Sequence, residues 1–190
     1  MPVSGPPTGA FSCLVRSALG GAVLATLVAA PVAWAASDGT IGSTSTGNLT
    51  ITVTIDNLVQ VTGFADMAFG TYTGAGNLQD TNNLCVFSTT RGYNVTATSD
   101  TGAFTLAGAA IDTIPYAVTW DDSGNIGGAG ATVLTHNTLA VGFATDATST
   151  TCAGVGGATA VLTVDMTEAN LLAAAADTYQ SVLTVVVGPE

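Results

Sequence analysis

Reactive side chains are scarce in this sequence. Histidine occurs once, as His136 in Leu134-Thr-His-Asn-Thr-Leu139, with no acid beside it in sequence. Acid–base or nucleophilic catalysis needs a constellation of groups, and one imidazole alone reads as a surface or loop residue. The run Asp121-Asp122-Ser123-Gly124-Asn125 could offer oxygen ligands to calcium, yet it lacks the EF-hand spacing and the distal glutamate. The same residue types favour a plain β-turn, through local hydrogen bonds and tolerance of tight backbone angles. The glycine-rich stretches 127–130 and 154–157 have neither a phosphate-loop spacing nor a lysine, so a nucleotide site is not expected. Asn48-Leu49-Thr50 and Asn94-Val95-Thr96 match a glycosylation sequon that has meaning only in a eukaryotic host. We therefore expect no enzyme activity and no cofactor.

The cysteines carry more information, because their reading depends on where the chain goes. Arg16 stands ahead of an apolar run from Ala18 to Ala30, and Ala33-Trp34-Ala35 puts small residues at the two positions a signal peptidase reads. Residues 1–35 are thus expected to be a signal peptide cut after Ala35. The run is shorter than the roughly 20 apolar residues of a spanning helix, so no membrane anchor is expected once it is removed. Cys13 precedes the run and would leave with it. Cys85 and Cys152 remain, and in an oxidising compartment an even pair reads as a disulfide. With no C-x-x-C and one histidine, metal or redox chemistry is disfavoured. Bridging cysteines 67 positions apart would stabilise the fold by roughly 4 kcal/mol on the chain-entropy account.

Charge narrows the partners. The formal net charge is −11, there is no lysine, and beyond the signal segment Arg91 faces all 13 carboxylates. Nucleic acid and anionic membrane surfaces need clustered Lys or Arg, and are excluded on that ground. The charge serves solubility and keeps folded copies apart.

The elements that would position these residues are short and β-like. Residues 36–47 are small, polar and glycine-rich, the composition of a flexible leader. Beyond it, apolar stretches separated by Gly, Asn, Asp and Ser turns recur at 49–55, 58–64, 67–72, 84–87, 93–98, 103–107, 114–120, 132–143, 159–166 and 179–187. Many alternate with period two and are rich in Val, Ile, Thr and aromatics, which predicts an antiparallel β-sandwich or barrel. The aromatics, from Phe64 to Tyr179, are spread over separate strands and read as core. Residues 167–176 break the pattern with high helix propensity and Thr167 as N-cap, predicting a short connecting helix. Pro115 is expected to open the strand through Trp120, where its missing donor does no harm.

Two strands have no obvious partner. The last, Tyr179 with Leu183, Val185 and Val187, is followed by Gly188, Pro189 and Glu190, so an apolar edge is expected to stand uncovered. Near the leader, Leu49, Ile51, Val53 and Ile55 alternate with Thr50, Thr52 and Thr54 as a spare strand. The expected organisation is signal 1–35, leader and candidate donor strand 36–57, and sandwich 58–190.

The order of phrases resembles a family. VTGFADMAFGTYTG (61–74), CVFSTTRGYNVTATS (85–99), IPYAVTWDDSGN (114–125), a late cysteine at 152 and DTYQSVLTVVV (177–187) are similar to the spore coat protein U domain family. That family includes subunits of archaic chaperone–usher pili. Val59-Gln60-Val61 lacks the extra cysteine that members often carry ahead of the first phrase, and Asp177-Thr178 stands where glycine is common. The resemblance implies an incomplete immunoglobulin-like sandwich, completed first by a periplasmic chaperone and then by a neighbouring subunit's N-terminal strand, with an outer-membrane usher and other pilus subunits as partners. It implies a donor role for Leu49, Ile51, Val53 and Ile55, and a groove-edge role for the strand from Tyr179 through Val187. The expected function is a surface pilus subunit in adhesion or biofilm formation. The alternative is a complete, monomeric secreted β-sandwich that binds glycan or calcium.

Overall fold

The computed structural model describes residues 36–109 and 112–190; the expected signal segment, with Cys13, lies outside the described residues. The chain divides between Thr52 and Val53 into two units. In the first, Ser37 and Asn48 exchange backbone hydrogen bonds of 3.0 and 2.9 Å, which closes the polar leader into a loop.

In the second unit, ten strands and one short helix are found among the described residues. One sheet has five strands: β1 (Val59–Thr62), β2 (Leu78–Ser88), β9 (Ala160–Met166), β6 (Ala117–Asp121) and β7 (Thr132–Val133), in that spatial order. The second has β10 (Leu183–Pro189), β3 (Gly92–Ser99) and β8 (Leu139–Ala144). β4 (Thr105–Ala107) and β5 (Thr113–Pro115) form a separate hairpin. Every pairing is antiparallel.

Period-two burial builds the core. Tyr93, Val95 and Ala97 of β3 and Leu162, Val164 and Met166 of β9 point inward from opposite sheets and meet Leu84, Val118, Trp120 and Phe143. The fold is thus an all-β antiparallel sandwich, as the alternation predicted. At its centre Trp120 Nε1 donates to Tyr93 Oη at 3.1 Å, and Phe143 stacks on Tyr93 with ring centroids 5.7 Å apart. The indole donor thereby finds a partner inside an apolar core, as buried Trp generally must.

The helix α1 (Glu168–Ala173) is shorter than the predicted 167–176, and Thr167 Oγ1 caps it by accepting from Asn170 N at 3.3 Å. Other elements depart from the sequence reading. Residues 49–57 join no ladder among the described residues. Residues 67–72 form no strand; the chain leaves β1 at Gly63, whose φ of 101° suits glycine, and a Cβ there would lie 2.7 Å from the Asn83 carbonyl. β2 begins six residues before the predicted 84–87, because pairing with β9 recruits the polar run Leu78–Asn83. The 132–143 stretch breaks at a turn in which Thr138 N donates to Thr135 O, with Asn137 at φ 54°. Pro115 closes β5 instead of opening β6, and Tyr116 N donates to Phe104 O across the gap. β10 starts at Leu183; upstream, Gln180 makes a single bridge to Ala107.

Candidate functional site

Both cysteines past the expected signal, Arg91 and the buried Asp122 make structural contacts. Cys85 of β2 and Cys152 are bonded, with Cα atoms 5.7 Å apart, and pack with Ala147 in a small buried cluster. That bond fixes the 145–158 loop over the end of β2. There Thr159 Oγ1 accepts from Val86 N at 2.9 Å, and Thr145 Oγ1 donates to Val86 O at 2.5 Å. Hydroxyls thus serve where the β9 ladder stops. Arg91, in the turn before β3, donates from its guanidinium to Ala147 O in the same loop.

The acidic run is a turn. Asn125 N donates to Asp122 O at 3.0 Å, and Ser123 N to Asp121 Oδ1 at 2.8 Å. Asp122 is buried, and its two carboxylate oxygens accept from Gly130 N at 2.8 Å and Ala144 N at 2.7 Å, tying the glycine-rich loop to β8. Among the described residues no three His, Cys, Asp or Glu side chains come together as a metal set. His136 lies in the turn between β7 and β8, but its ring is half-buried edge-on to Phe104, with centroids 5.3 Å apart. It is a loop histidine packed on Phe104, and its Nε2 is buried with no hydrogen-bond partner among the described residues.

A concave feature lies along β10. At the start of this strand Asp100 N donates to Val182 O at 3.2 Å and Val182 N donates to Asp100 Oδ1 at 3.0 Å; at its end Glu190 N donates to Gly92 O at 3.2 Å. Backbone groups alternate sides along a strand, so the even positions between these ends face β3. Leu183, Val185 and Val187 turn their backbone groups the other way, where β10 has no ladder neighbour among the described residues. Their side chains pack on the core. β1 repeats the arrangement: Leu58 exchanges bonds of 2.9 and 2.8 Å with Thr89, so Val59 and Val61 present their backbone groups to β1's free side.

The registers locate the opening. Val59 pairs with Ser88 and Pro189 with Tyr93, both close to the β2–β3 turn, so β1 flanks the end of β10 nearest that turn. Farther along, two cavities of mixed lining open. One, of about 540 Å³, is lined by Phe64, Tyr116, Leu162, Leu183 and Val185. The other, of about 650 Å³, is lined by Tyr72, Ile114, Met166, Leu171 and Tyr179. Met67, Phe69, Leu106 and Ser181 line both, which makes them one trough. Tyr179 Oη donates to Ala175 O at 2.9 Å; burial, with the Asp112 and Asp177 carboxylates, pushes its pKa up.

The structure therefore brings Tyr179, Leu183 and Val185 together at the trough and places Val187 beyond it, beside β1. Leu49, Ile51, Val53 and Ile55 are 71 to 87% exposed. The trough's floor, Met67 and Phe69, escaped the sequence reading because 67–72 reads as a strand; Gly63 and Gly70, both at positive φ, were the signal for a loop.

No family model and no curated protein matches the sequence. Among solved structures, the chain is similar to one described as a chaperone–tip adhesin complex of CFA/I fimbriae, at 13% identity and a TM-score of 0.44. The likeness covers 70% of this chain and 42% of that one, so the chain spans less than half of its length. Among the described residues no helix is long and apolar enough to cross a membrane.

Proposed function

We propose that this chain is a secreted structural subunit of a surface pilus, completed by β-augmentation and without catalytic activity. The observation that carries this reading is the outward row of backbone groups at Leu183, Val185 and Val187, whose first two residues line the trough. An extended peptide on such an edge gains main-chain hydrogen bonds, while alternate side chains enter the cavities. The segment 49–55 has the matching form: four aliphatic residues on one parity, exposed, with threonines between them. A subunit that accepts such a strand and offers one makes a head-to-tail contact that does not close, and so builds a fibre. The resemblance of the quoted phrases to the spore coat protein U domain family supports the same assignment, with a periplasmic chaperone holding the trough before assembly, an usher exporting the fibre, and adhesion or biofilm formation as its use. Deleting 36–56 is the direct test. With the chaperone present, the shortened chain should fold and fail to polymerise; fibres built by it would sink the donor assignment.

A further inference from the structure

Residues 64–69 lie across the trough. They run between Gly63 and Gly70, at φ 101° and 72°, and join no strand. Met67 and Phe69 pack half-buried side chains on the core, while Ala65, Asp66 and Ala68 are exposed. Both inward side chains line the two cavities, as Leu106 and Ser181 do, so they stand at the boundary where one cavity gives way to the other. Little else holds the segment. Among the described residues its one hydrogen bond comes from Asn82 Nδ2 to Ala65 O, at 2.8 Å.

A strand added to β10 would meet this segment. At about 3.3 Å per residue, the free edge from Leu183 to Val187 offers about 13 Å, whereas 49–55 is about 20 Å long. β1 flanks the Val187 end, so the surplus of about 7 Å runs the other way, past Ser181. There the next inward side chain arrives at Met67 and Phe69.

We infer that residues 64–69 are an autoinhibitory strap: in the free subunit Met67 and Phe69 cover the core and obstruct the strand path, and the 49–55 segment of a second copy displaces them, the chain turning out about Gly63 and Gly70. This rests on the trough being a strand acceptor. A strap that must open first lowers the apparent affinity for the strand by the fraction of subunits in which it is open. Gly70 allows that fraction to be changed without removing a contact. A Cβ there meets no atom within 4 Å, yet alanine is strained at φ 72°, so Gly70→Ala penalises the closed strap and spares an open one that is free to change φ. The test uses the full chain after signal removal and a synthetic peptide of residues 46–57. The methionines are then Met67 and the buried Met166, and methyl-labelled methionine gives one NMR signal for each. Saturating peptide should move the Met67 methyl to the narrow, random-coil position of an exposed methionine and leave Met166 packed. In calorimetry Gly70→Ala should bind the peptide about 5- to 30-fold more tightly than wild type. Binding to Gly70→Ala alone would be the same result in stronger form. Peptide bound with Met67 still packed, or a Gly70→Ala affinity no higher than wild type's, makes the segment a fixed floor; it overturns the strap and leaves the strand-acceptor reading standing. A peptide that binds neither protein overturns both.

Discussion

The buried polar residues of this molecule work as fasteners, and Tyr93 shows how much depends on one of them. Its ring is wholly inside the sandwich between Trp120 and Phe143, and its oxygen accepts from the indole. Burial is the main cause of a phenol pKa pushed far above the ordinary value of about 10; the nearby Asp122 adds to it and the Trp120 donor opposes it. The folded state therefore holds this proton at pH values where the unfolded chain releases it. Stability from this group is complete below pH ~10 and falls as pH rises above it, because the unfolded state binds fewer protons there. Chemical denaturation between about pH 8 and 11 should show a flat region followed by a loss. In Tyr93→Phe the loss above pH ~10 should shrink, while stability at pH 8 drops by about 1–3 kcal/mol as the indole donor loses its partner. An unchanged alkaline slope in that variant would mean that another tyrosine sets it.

At the scale of elements, backbone parity along β10 separates what the strand does for its own sheet from what it offers outward. Proline removes a donor and is tolerated in a strand where that donor faces away from the ladder. Thr184→Pro deletes a bond to β3 and should cost about 3 kcal/mol or more in urea unfolding. Val185→Pro deletes only an outward donor; it should leave a folded protein that no longer binds the 46–57 peptide. If both variants unfold alike, the assignment of outward and inward groups is wrong. The sequence made this strand legible because its aliphatic residues alternate with a clear period, and β3 and β9 were legible for the same reason. The first half of β2 was not: Gln79, Asp80, Asn82 and Asn83 are poor strand formers, placed in a ladder by their pairing with β9. The trough was half legible. Its wall follows from local alternation, whereas its floor comes from a loop whose path depends on Gly63 and on Asn82 Nδ2 donating to Ala65 O at 2.8 Å. Such contacts join residues far apart in the chain, and no local pattern encodes them.

For the whole molecule, the proposed assembly sets charge against the segment that would join two copies. Each chain carries a formal charge of −11, so two copies repel as they approach. The stretch 49–55 has no charged residue, and its four aliphatic side chains gain about 1.5–3 kcal/mol each when fully buried. Ordering seven residues costs about 1–2 kcal/mol apiece, which is similar in total, so the backbone bonds at the edge and the long-range repulsion decide the outcome. The repulsion is adjustable. Raising ionic strength from about 0.01 M to 0.15 M shortens the screening length from about 30 Å to about 8 Å. Docking of subunits, followed by light scattering or by exchange of a labelled 46–57 peptide, should therefore accelerate with sodium chloride, mainly through the association rate, while dissociation changes little. Calcium and magnesium at matched ionic strength should give the same acceleration, since Asp122 spends its carboxylate on two backbone donors and the turn around it is held by its own hydrogen bonds. A calcium effect beyond magnesium would instead point to a cation site at the Asp121–Asn125 turn and favour a binding module. Docking indifferent to salt would mean that the copies meet where charge is not opposed, away from the geometry of the β10 edge.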